Sequence, residues 1–406
     1  MSGALKRDEW KTVRLGDYIS LIRGVSYSPK DVGDDSNSDY LPVLRANNIH
    51  DDMLNFDDLV YVHISKINNT QLIKSGDILV CASSGSKQLV GKSARATQDY
   101  QGSFGAFCKL VRTHDCIDSK YLGHYFGSEI YRRNISDLAQ GANINNLRNE
   151  HIENILLPLP PLDVQRRIAD TLDKVSELIT LRKTQLEKLD ELVKARFVEL
   201  FGSIHDEKFE MKSLPEIVAK DKNAIKRGPF GGALKKEDFV ETGYLVYEQR
   251  HAIHNDFEYE KYYITKEKYE DMIGFKVVPG DLIISCSGVT LGRIAEVPRG
   301  AKEGIINQAL LKLSLNQTVM KNTFFIHQFR SEEIQEILFG FSRGSGIPNM
   351  PSMNEVKAVK FICPPIEQQE QFTAFVEQTD KSKVIIQQSL DTLETLKKSL
   401  MQEYFG

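Results

Sequence analysis

The chain has 406 residues, of which 41% are hydrophobic and 27% charged, and its formal net charge is −4 at pH 7. This composition indicates a globular protein of two or three domains, and without an apolar run of about 18 residues no membrane span is expected. The acidic balance argues against a protein that binds nucleic acid unaided through one basic surface, but it permits local basic loops.

The sequence repeats itself with a period of 204 residues. The recurring pairs are Gly76-Asp77 with Gly280-Asp281, Pro160-Pro161 with Pro364-Pro365, and Phe201-Gly202 with Phe405-Gly406. Solenoid repeats have periods of roughly 20 to 50 residues, so this repeat is far too long to be one of their units. It predicts a domain together with its connector, present twice.

Each half begins with a mixed α/β pattern. In the first half, which covers residues 10 to about 157, the predicted strands are 40–44, 77–80 and 104–111, and the predicted helix runs from Ser119 to Leu138. In the second half the predicted strands are 244–247, 281–284 and 308–313, and the predicted helix runs from Thr323 to Phe341. Both halves therefore predict the same order of elements.

Each half ends in a proline-rich stop followed by a long helix. The stops lie at 157–161 and 363–365, where proline interrupts regular structure. Beyond them the apolar residues follow a heptad pattern. These predicted helix-packing residues are Ile168, Leu172, Val175, Ile179, Leu186, Leu189, Val193, Phe372, Val376, Ile386, Leu390, Leu393 and Leu400. Helices of roughly 34 residues would span about 50 Å at about 1.5 Å per residue.

These patterns predict an α+β fold in which two similar α/β domains are separated by two long helices. We expect the helices to form an antiparallel coiled coil, with a pseudo-twofold axis relating the halves. The alternative is that each long helix only covers the core of its own half.

The sequence lacks the usual catalytic motifs. The segment from Gly85 to Ser93 resembles a phosphate-binding loop, but five residues separate its glycines where that motif has four. There is no Asn/Asp-Pro-Pro-aromatic motif of adenine methyltransferases, no Pro-Asp doublet of nucleases and no His-X-X-X-His zinc spacing. The scattered cysteines (Cys81, Cys108, Cys116, Cys286 and Cys363) indicate reduced thiols in a cytoplasm and no metal site.

Several loops carry polar side chains at corresponding positions of both halves, although the residue types differ. Asn and Gln can read adenine, Arg can read guanine, and Lys and Ser often hold phosphate. The candidate DNA-binding residues are Arg23, Arg45, Asn47, Asn48, Ser84, Ser86, Lys87, Lys92, Asn143, Asn145, Arg148, Arg227, Gln249, Arg250, His251, Ser287, Thr290, Arg293, Arg343, Ser345 and Asn349. The alternative for any one of them is a solvated turn. A constant scaffold with changed loops is what two recognition specificities on one fold would require.

The chain resembles the DNA-specificity subunit of type I restriction-modification systems along almost its whole length, from Trp10 to Gly406. The resemblance is carried by Ser75-Gly76-Asp77-Ile78-Leu79 and by the twofold occurrence of Pro-Pro-Leu/Ile-acid-X-Gln ahead of a long helix. That second motif occupies 160–165 and 364–369. Its double occurrence is more specific than either copy alone.

This resemblance implies target-recognition domains at 1–157 and 209–362, with conserved helical regions at 158–208 and 363–406. Each recognition domain would read one half of a split double-stranded DNA sequence. The helices would set the gap and dock two methyltransferase subunits, and two motor-nuclease subunits could join the complex. S-adenosylmethionine, ATP and magnesium would belong to the partners, with no cofactor in this chain and no membrane association.

Two other interpretations remain open from the residues alone. The chain could be a non-catalytic adaptor that presents two protein-binding domains on a helical spacer. It could also be a self-contained methyltransferase or nuclease, which the missing motifs disfavour. For a DNA reader, domains held about 50 Å apart would place the half-sites about one to one and a half helical turns apart.

Overall fold

The computed structural model describes residues 10–50, 52–86, 88–140, 146–340 and 348–406. The chain divides into two compact units. Unit 1 comprises residues 1–184 and 387–406, and unit 2 comprises residues 185–386. Each unit therefore includes parts of both long helices.

Unit 1 is built around two sheets. Within the described residues its strands are β1 (Lys11–Arg14), β2 (Ile19–Arg23), β3 (Val32–Gly33), β4 (Tyr40–Leu44), β5 (Ile49–His50), β6 (Met53–Leu54), β7 (Val60–His63), β8 (Ile78–Cys81), β9 (Ser93–Arg95), β10 (Ser103–Phe104), β11 (Cys108–Thr113) and β12 (Leu156–Leu159). One antiparallel sheet has the order β2-β11-β8-β9, and the other has the order β10-β4-β7-β3. Smaller ladders join β1 to β12 and β5 to β6.

Strand β8 lies at the centre of unit 1 and is buried on both faces. Ile78 and Val80 pack into the cluster that contains the helices, whereas Leu79 and Cys81 pack into the cluster that contains Phe104. Successive side chains of a strand point to opposite faces, so a strand between two apolar layers must be apolar throughout. The loop that follows β8 is therefore attached to a strand that is packed on both faces.

The helices of unit 1 differ from the prediction at one point. Within the described residues they are α1 (Ser119–Phe126), α2 (Glu129–Gln140), α3 (Asn149–Glu153), the first part of α4 (Leu162–Phe201) and residues 387–405 of the second long helix. The single helix predicted from Ser119 to Leu138 was wrong, because the chain breaks between α1 and α2. The Ser128 hydroxyl accepts a hydrogen bond from the Tyr131 amide at 3.0 Å and donates to the Tyr125 carbonyl at 2.6 Å. It thus ends one helix and caps the next.

Unit 2 repeats the central sheet. Its described strands are β13 (Met211–Ser213), β14 (Ile225–Arg227), β15 (Phe239–Val240), β16 (Tyr244–Tyr247), β17 (Tyr263–Ile264), β18 (Lys276–Val277), β19 (Leu282–Ser285), β20 (Ile294–Glu296), β21 (Gly304–Ile306), β22 (Leu310–Leu313) and β23 (Lys360–Ile362). The order β14-β22-β19-β20 matches that of β2-β11-β8-β9 in unit 1. The second sheet has the order β15-β17-β16-β21-β18, and β13 pairs with β23.

The helices of unit 2 contain the same break. Within the described residues they are α5 (Leu214–Ile217), α6 (Gln249–His254), α7 (Lys266–Asp271), α8 (Asn322–Phe329), α9 (Glu332–Phe339), α10 (Met353–Ala358), the last part of α4 and the first part of α11 (Ile366–Phe405). The helix predicted from Thr323 to Phe341 is two helices, α8 and α9. Ser331 is the N-cap of α9 and accepts a hydrogen bond from the Ile334 amide.

Most strand predictions agree with the structure. The strands predicted at 40–44 and 244–247 are confirmed as β4 and β16, and those after each Gly-Asp pair begin one residue later than predicted. The strand predicted at 104–111 is two strands, β10 and β11. The Cys108 amide donates to the Gly105 carbonyl at 2.8 Å, so the chain turns between them.

The repeated Gly-Asp pair has a structural explanation. Gly76 and Gly280 have φ angles of 89° and 88°, a backbone region that only glycine adopts at little cost. The following carboxylate is buried in both units and bonds the backbone of its own turn. Asp77 accepts from the Lys74 amide at 2.7 Å, and Asp281 accepts from the Val278 amide at 2.9 Å. The pair therefore shapes the entry into β8 and β19.

The long helices exceed the predicted 34 residues. Helices α4 and α11 each have 40 residues, which corresponds to about 60 Å of helix. Of the predicted packing residues, Ile168, Leu172, Val175, Ile179, Val193, Phe372, Val376 and Leu390 are buried, and Leu186, Leu189, Ile386, Leu393 and Leu400 are half-buried.

Segments of the two long helices lie side by side within each unit. In unit 2, Asp190 pairs with Lys383 at 2.7 Å, and further along α4 the ring of Phe197 lies 5.4 Å from that of Phe372. The partner residue number falls as the α4 number rises, so these segments run in opposite directions. In unit 1, Lys183 pairs with Glu394 at 3.3 Å.

A buried glutamine attaches each long helix to the sheet-bearing part of its unit. In unit 1 the Gln165 side chain accepts from the Asp118 amide at 2.8 Å and donates to the Pro160 carbonyl at 2.8 Å and to the Cys116 carbonyl at 3.4 Å. In unit 2, Gln369 accepts from the Lys321 amide at 2.9 Å and donates to the carbonyls of Val319 and Pro364 at 3.0 and 2.8 Å. The proline-rich motif thus performs the same task in both units.

Candidate nucleic-acid interface

Three backbone segments meet at the end of the central strand of unit 1. They are the loop after β8, the turn between β10 and β11, and the segment before α3. The amides of Ala82 and Ser83 both donate to the Phe107 carbonyl, at 2.9 and 3.0 Å, and the Leu147 amide donates to the Ala82 carbonyl at 2.6 Å. Ser83 and Asn146 also form an isolated antiparallel bridge. We call this meeting point the unit 1 loop cluster.

The corresponding backbone contacts form the unit 2 loop cluster. The Cys286 amide donates to the Ala309 carbonyl at 2.9 Å, the Met350 amide donates to the Cys286 carbonyl at 2.8 Å, and Ser287 bridges Asn349. The segments from which the sequence predicted DNA contacts are therefore brought together in each unit by an equivalent set of main-chain bonds.

The described residues of the loop after the central strand carry small hydroxyl side chains and one cation in each unit. Ser84 and Ser287 are half-buried and Ser86 is exposed, and the Ser84 hydroxyl accepts from the Ser86 amide at 3.2 Å. Half-buried Lys92 lies near the thiol of Cys81, whose pKa is raised by burial and lowered in part by this ammonium. Thr290 is half-buried and its carbonyl accepts from the amide of exposed Arg293.

Arg293 contributes to a cationic region of unit 2. It lies close enough to Arg330 to lower the pKa of that guanidinium, although desolvation of Arg330 is the larger cause. Arg330 also donates from Nη2 to the Ile294 carbonyl at 2.8 Å. Two neighbouring guanidinium groups favour an anion such as a DNA phosphate, because like charges repel each other without one.

Arg23 lies at the end of β2 with a second cation that the sequence analysis missed. Exposed Arg23 is directly opposite Lys109 on β11, and the Lys109 ammonium donates to the Asn149 side chain. Burial lowers the pKa of Lys109, an effect that Glu153 opposes and Arg23 reinforces. Lys109 interrupts an apolar strand, and that interruption was the available signal.

Arg148 is exposed at the start of α3, beside the unit 1 loop cluster. Its Nη1 lies 3.3 Å from the Glu150 carboxylate, and its amide donates to His151 Nδ1. An exposed ion pair of this kind contributes little to stability, so the guanidinium can exchange a carboxylate for a phosphate at small cost.

The loop after β4 is organised by Asp58. Arg45 Nη2 donates to the Asp58 carbonyl at 2.7 Å and to its carboxylate at 2.8 Å, while Asn47 Nδ2 donates to the same carboxylate at 2.9 Å. Arg45 is half-buried and Asn47 is exposed. Both side chains are therefore oriented before any ligand arrives.

Two predicted contacts, Asn48 and His251, are corrected by their burial. Asn48 is fully buried, accepts from the Arg45 amide and donates to the Asp57 carbonyl. His251 is fully buried, accepts from the Glu248 amide at Nδ1 and donates from Nε2 to the Tyr259 carbonyl. Both side chains shape their loops from inside and have no surface to offer a ligand.

The neighbours of His251 on α6 have different roles. The Gln249 side-chain amide donates to the Ser287 hydroxyl at 2.8 Å and to the Ala309 carbonyl at 3.3 Å, so it joins α6 to the unit 2 loop cluster. Arg250 is exposed, with its guanidinium 4.3 Å from the ring centre of Tyr259 and 3.5 Å from Asp256. Arg250 therefore offers charge at the surface, whereas Gln249 positions the loop.

Arg227 ends β14, as Arg23 ends β2. Its guanidinium lies 5.5 Å from the ring centre of Phe230. Burial raises the pKa of the thiol of Cys286, the residue before Ser287, and the Arg227 charge opposes that rise. The remaining sequence-predicted residue of this unit, Asn349, is exposed and forms the bridge to Ser287. The predicted residues Lys87, Asn143, Asn145, Arg343 and Ser345 lie outside the described residues.

In the described part of the chain, no group of three or more His, Cys, Asp or Glu side chains has an arrangement that could hold a metal ion. Among the described helices, none is both long enough and apolar enough to cross a membrane.

Comparison with known proteins identifies one family. Residues 7–191 and 207–395 each match the family described as type I restriction modification DNA specificity domain. The type I restriction enzyme StySPI specificity subunit of Salmonella potsdam is 27% identical over 98% of this chain and 88% of its own length. The EcoKI specificity subunit of Escherichia coli (strain K12) is 37% identical over 48% of this chain and 42% of its own length.

Solved structures show the same fold. A chain from a study of complex assembly and conformational transition of the type I R-M system aligns with a TM-score of 0.60 and 16% identity, covering 97% of both chains. The type I restriction-modification S subunit from M. genitalium aligns with a TM-score of 0.57 and 16% identity, covering 100% of this chain and 98% of that one.

Proposed function

The chain belongs to the family of type I restriction-modification specificity subunits, and we propose that each of its two units reads one half of a bipartite double-stranded DNA target. The observation that carries this proposal is the pair of loop clusters. Equivalent main-chain bonds hold them, from Ala82 to Phe107 in unit 1 and from Cys286 to Ala309 in unit 2. The side chains on these equivalent frames differ, as two different half-site sequences would require.

The proposed division of the chain follows the repeat. Recognition domains would occupy 1–157 and 209–362, and conserved helical regions would occupy 158–208 and 363–406. The antiparallel segments of unit 2, the paired segments of unit 1 and the matching bonds of Gln165 and Gln369 support a coiled coil with a pseudo-twofold axis. In this arrangement the length of the helices sets the gap between the half-sites.

The long helices also offer a surface for partners. Exposed apolar side chains on α4 and α11 include Leu178, Leu181, Leu192, Val198, Val384, Ile385 and Leu396. Such side chains facing water favour a protein partner. We assign this surface to two methyltransferase subunits, with motor-nuclease subunits joining through them. S-adenosylmethionine, ATP and magnesium would be bound by those partners, in the cytoplasm.

The direct test is a base-resolution map of DNA methylation in cells that express this chain with its cognate methyltransferase subunit. The control is the methyltransferase subunit alone. We expect a split motif with a fixed gap that is methylated only when the chain is present. If the two proteins associate and remain soluble but methylation does not depend on the chain, the proposal is wrong and an adaptor function becomes the better explanation.

A second test addresses the partner surface. Leu181→Glu places a charge on the exposed side of α4 and should weaken co-purification of the methyltransferase subunit. Lys174→Glu, on the same helix but replacing an exposed polar residue, is the matched control. Equal recovery of the methyltransferase with both variants would exclude this part of the helix from the interface.

A further inference from the structure

Each unit exposes one phenylalanine beside the loop cluster. Phe107 in unit 1 and Phe230 in unit 2 are both 71% exposed. Leaving a phenylalanine in water forfeits about 1.5 to 3 kcal/mol of burial free energy, so its retention at a surface calls for an explanation. Neither residue is among the DNA contacts predicted from the sequence, because all of those are polar side chains.

Phe107 lies where the unit 1 segments converge. Its carbonyl receives the amides of Ala82 and Ser83, at the start of the loop that continues to Ser84 and Ser86. Its turn is also held from the other side, since the Ala106 amide donates to the Val25 carbonyl at 2.9 Å. The backbone of Phe107 is thus fixed by its neighbours while its ring projects into solvent.

Two cationic residues lie close to the Phe107 turn in the fold. Lys109, two residues along the chain, lies opposite Arg23, and a β carbon at the adjacent Gly24 would collide with the Gly105 carbonyl oxygen of the same turn. The β2 end that carries Arg23 therefore packs directly against the Phe107 turn. An exposed phenylalanine ring close to cationic residues is compatible with a DNA-binding surface, in which the cations contact phosphates and the ring contacts a base edge.

Unit 2 also has an exposed phenylalanine near a cationic side chain, but in a different loop. Phe230 follows β14, and the Arg227 guanidinium lies 5.5 Å from its ring centre. The Gly228 amide donates to the Leu310 carbonyl at 2.8 Å, which joins this loop to the turn before β22. Val289, in the loop after β19, is 98% exposed and adds a second apolar side chain.

The two phenylalanines are not conserved between the two copies of the 204-residue repeat. Residues that the fold requires recur in both halves, as Gly76 recurs at Gly280 and Gln165 at Gln369. In contrast, the position equivalent to Phe107 by hydrogen bonding is Ala309, and the position 204 residues before Phe230 is Ser26. Exposed aromatic rings that differ between the halves belong to the specificity of each half rather than to the common scaffold.

The apolar group that a base edge presents in the major groove is the C5-methyl group of thymine, which phenylalanine can contact. We propose that Phe107 and Phe230 each recognise a thymine methyl group in the half-site read by their own unit. This assignment rests on the proposed function as a DNA reader. It adds a base-discriminating apolar contact to the polar contacts predicted from the sequence.

The experiment uses the complex of the full chain with its methyltransferase subunit. Methylation maps are compared for the wild type, Phe107→Ala, Phe107→Leu and Ile64→Ala, the last being an exposed apolar control elsewhere in unit 1. Phe230→Ala and Ile273→Ala form the matching pair in unit 2. Methylation rates are then measured on duplexes in which deoxyuridine replaces each thymine of the motif in turn, which removes only the methyl group.

We expect Phe107→Ala to relax discrimination at one A·T pair in one half of the motif and to leave the other half unchanged. Phe230→Ala should do the converse, while Phe107→Leu should keep much of the discrimination because it stays apolar. Deoxyuridine at the relaxed position should slow the wild type about three- to fivefold, the scale of losing one buried apolar carbon. The alanine variant should be insensitive to the same change.

Three results with the variants would overturn the assignment. They are an unchanged motif in the alanine variants, relaxation at a G·C pair, and a deoxyuridine effect that persists in Phe107→Ala. A half-site without an A·T pair would exclude the assignment for its unit at once. Failure of the proposed function looks different, because the wild-type complex would then methylate no split motif at all.

Discussion

Arg112 binds Asp77 through two parallel hydrogen bonds, from Nε to Oδ1 at 2.8 Å and from Nη2 to Oδ2 at 2.6 Å. Asp77 is almost fully buried, and the bonds raise the pKa of the Arg112 guanidinium. In unit 2 the equivalent carboxylate, Asp281, lies 3.5 Å from the Lys312 ammonium and accepts from the Ser314 hydroxyl at 2.5 Å. The two units therefore neutralise the same buried charge with different side chains.

Asp77→Ala should destabilise unit 1 by about 3 to 5 kcal/mol, because it leaves a partly buried guanidinium without its counter-charge. Hydrogen exchange of the β8 and β11 amides during urea unfolding would measure the loss. Asp115→Ala, at an exposed position, is the control. Equal protection in the two variants would show that the Arg112 pair contributes nothing.

Gln165→Leu and Gln369→Leu should each loosen the attachment of a long helix. The substitution keeps the side-chain volume but leaves a buried amide and buried carbonyls unpaired, which costs about 1 to 3 kcal/mol per group. We expect faster hydrogen exchange in α1 for the first variant and in α8 for the second. Gln387→Leu, at an exposed helix position, should change neither. Unchanged exchange in α1 and α8 would contradict this role.

His327 should make unit 2 sensitive to acid. Burial, with a smaller contribution from the nearby charges of Arg330 and Lys383, lowers its pKa to about 4. The carboxylates of Asp380 and Asp190 oppose this lowering in part. A histidine pKa that is depressed by folding means that the unfolded chain binds the proton more readily. The stabilising contribution is therefore complete above about pH 6.5 and declines as the pH falls toward 4, by at most about 3 kcal/mol.

The measurement for His327 is the free energy of unfolding at pH 7 and pH 5. His327→Gln should flatten the difference that the wild type shows between these values. His205→Gln, at an exposed position in the same unit, should leave that difference intact. A wild-type slope retained in His327→Gln would assign the acid sensitivity to another group.

Lys92→Ala and Arg293→Ala should weaken DNA binding without altering the preferred sequence. Each cation that contacts a phosphate contributes about 0.9 to the slope of log K against log salt, so each variant should reduce the slope by about that amount. Titrations of the methyltransferase complex with DNA at several salt concentrations would test this. Lys11→Ala, on β1, is the control. Unchanged affinity and salt slope would exclude a phosphate contact.

Removing one heptad from α4 and one from α11 should change the gap of the motif and leave both half-sites unaltered. Seven residues correspond to about 10 Å of helix, or about three base pairs at 3.4 Å each. Deleting matched heptads preserves the pairing of the apolar residues. The methylation map of the shortened protein gives the result directly, and an altered half-site sequence would refute the idea that the helices measure the gap.

Much of the framework was predictable because it depends on repeated local signals. The Gly-Asp turns, the apolar strands after them and the proline stops all produce recognisable patterns, and the structure contains each of them in both units. The helix breaks were not predictable by periodicity, since Ser128 and Ser331 interrupt a continuous helical pattern without a proline. Their role becomes visible only through the hydrogen bonds that they make.

The candidate site was harder to predict than the fold. A polar loop residue can face solvent or complete the hydrogen bonds of its own loop, and Asn48 and His251 turned out to do the latter. Lys109 was missed because it lies within a strand. It becomes a candidate for DNA contact only because Arg23 lies opposite it on the neighbouring strand. Contacts between strands distant in sequence have no local signature.

The position of Phe405 in the unit 1 core means that this core cannot be completed until the end of the chain has been synthesised. Its ring lies 5.0 Å from that of Tyr121 and 5.6 Å from that of Tyr125, inside the core of unit 1. Residues that the ribosome makes nearly 300 positions apart must therefore meet before this core is closed. At roughly 5 to 20 residues per second, the first half of the chain waits for about 15 to 60 seconds with an apolar opening that Phe405 will fill. During that interval the nascent chain is a natural client for chaperones.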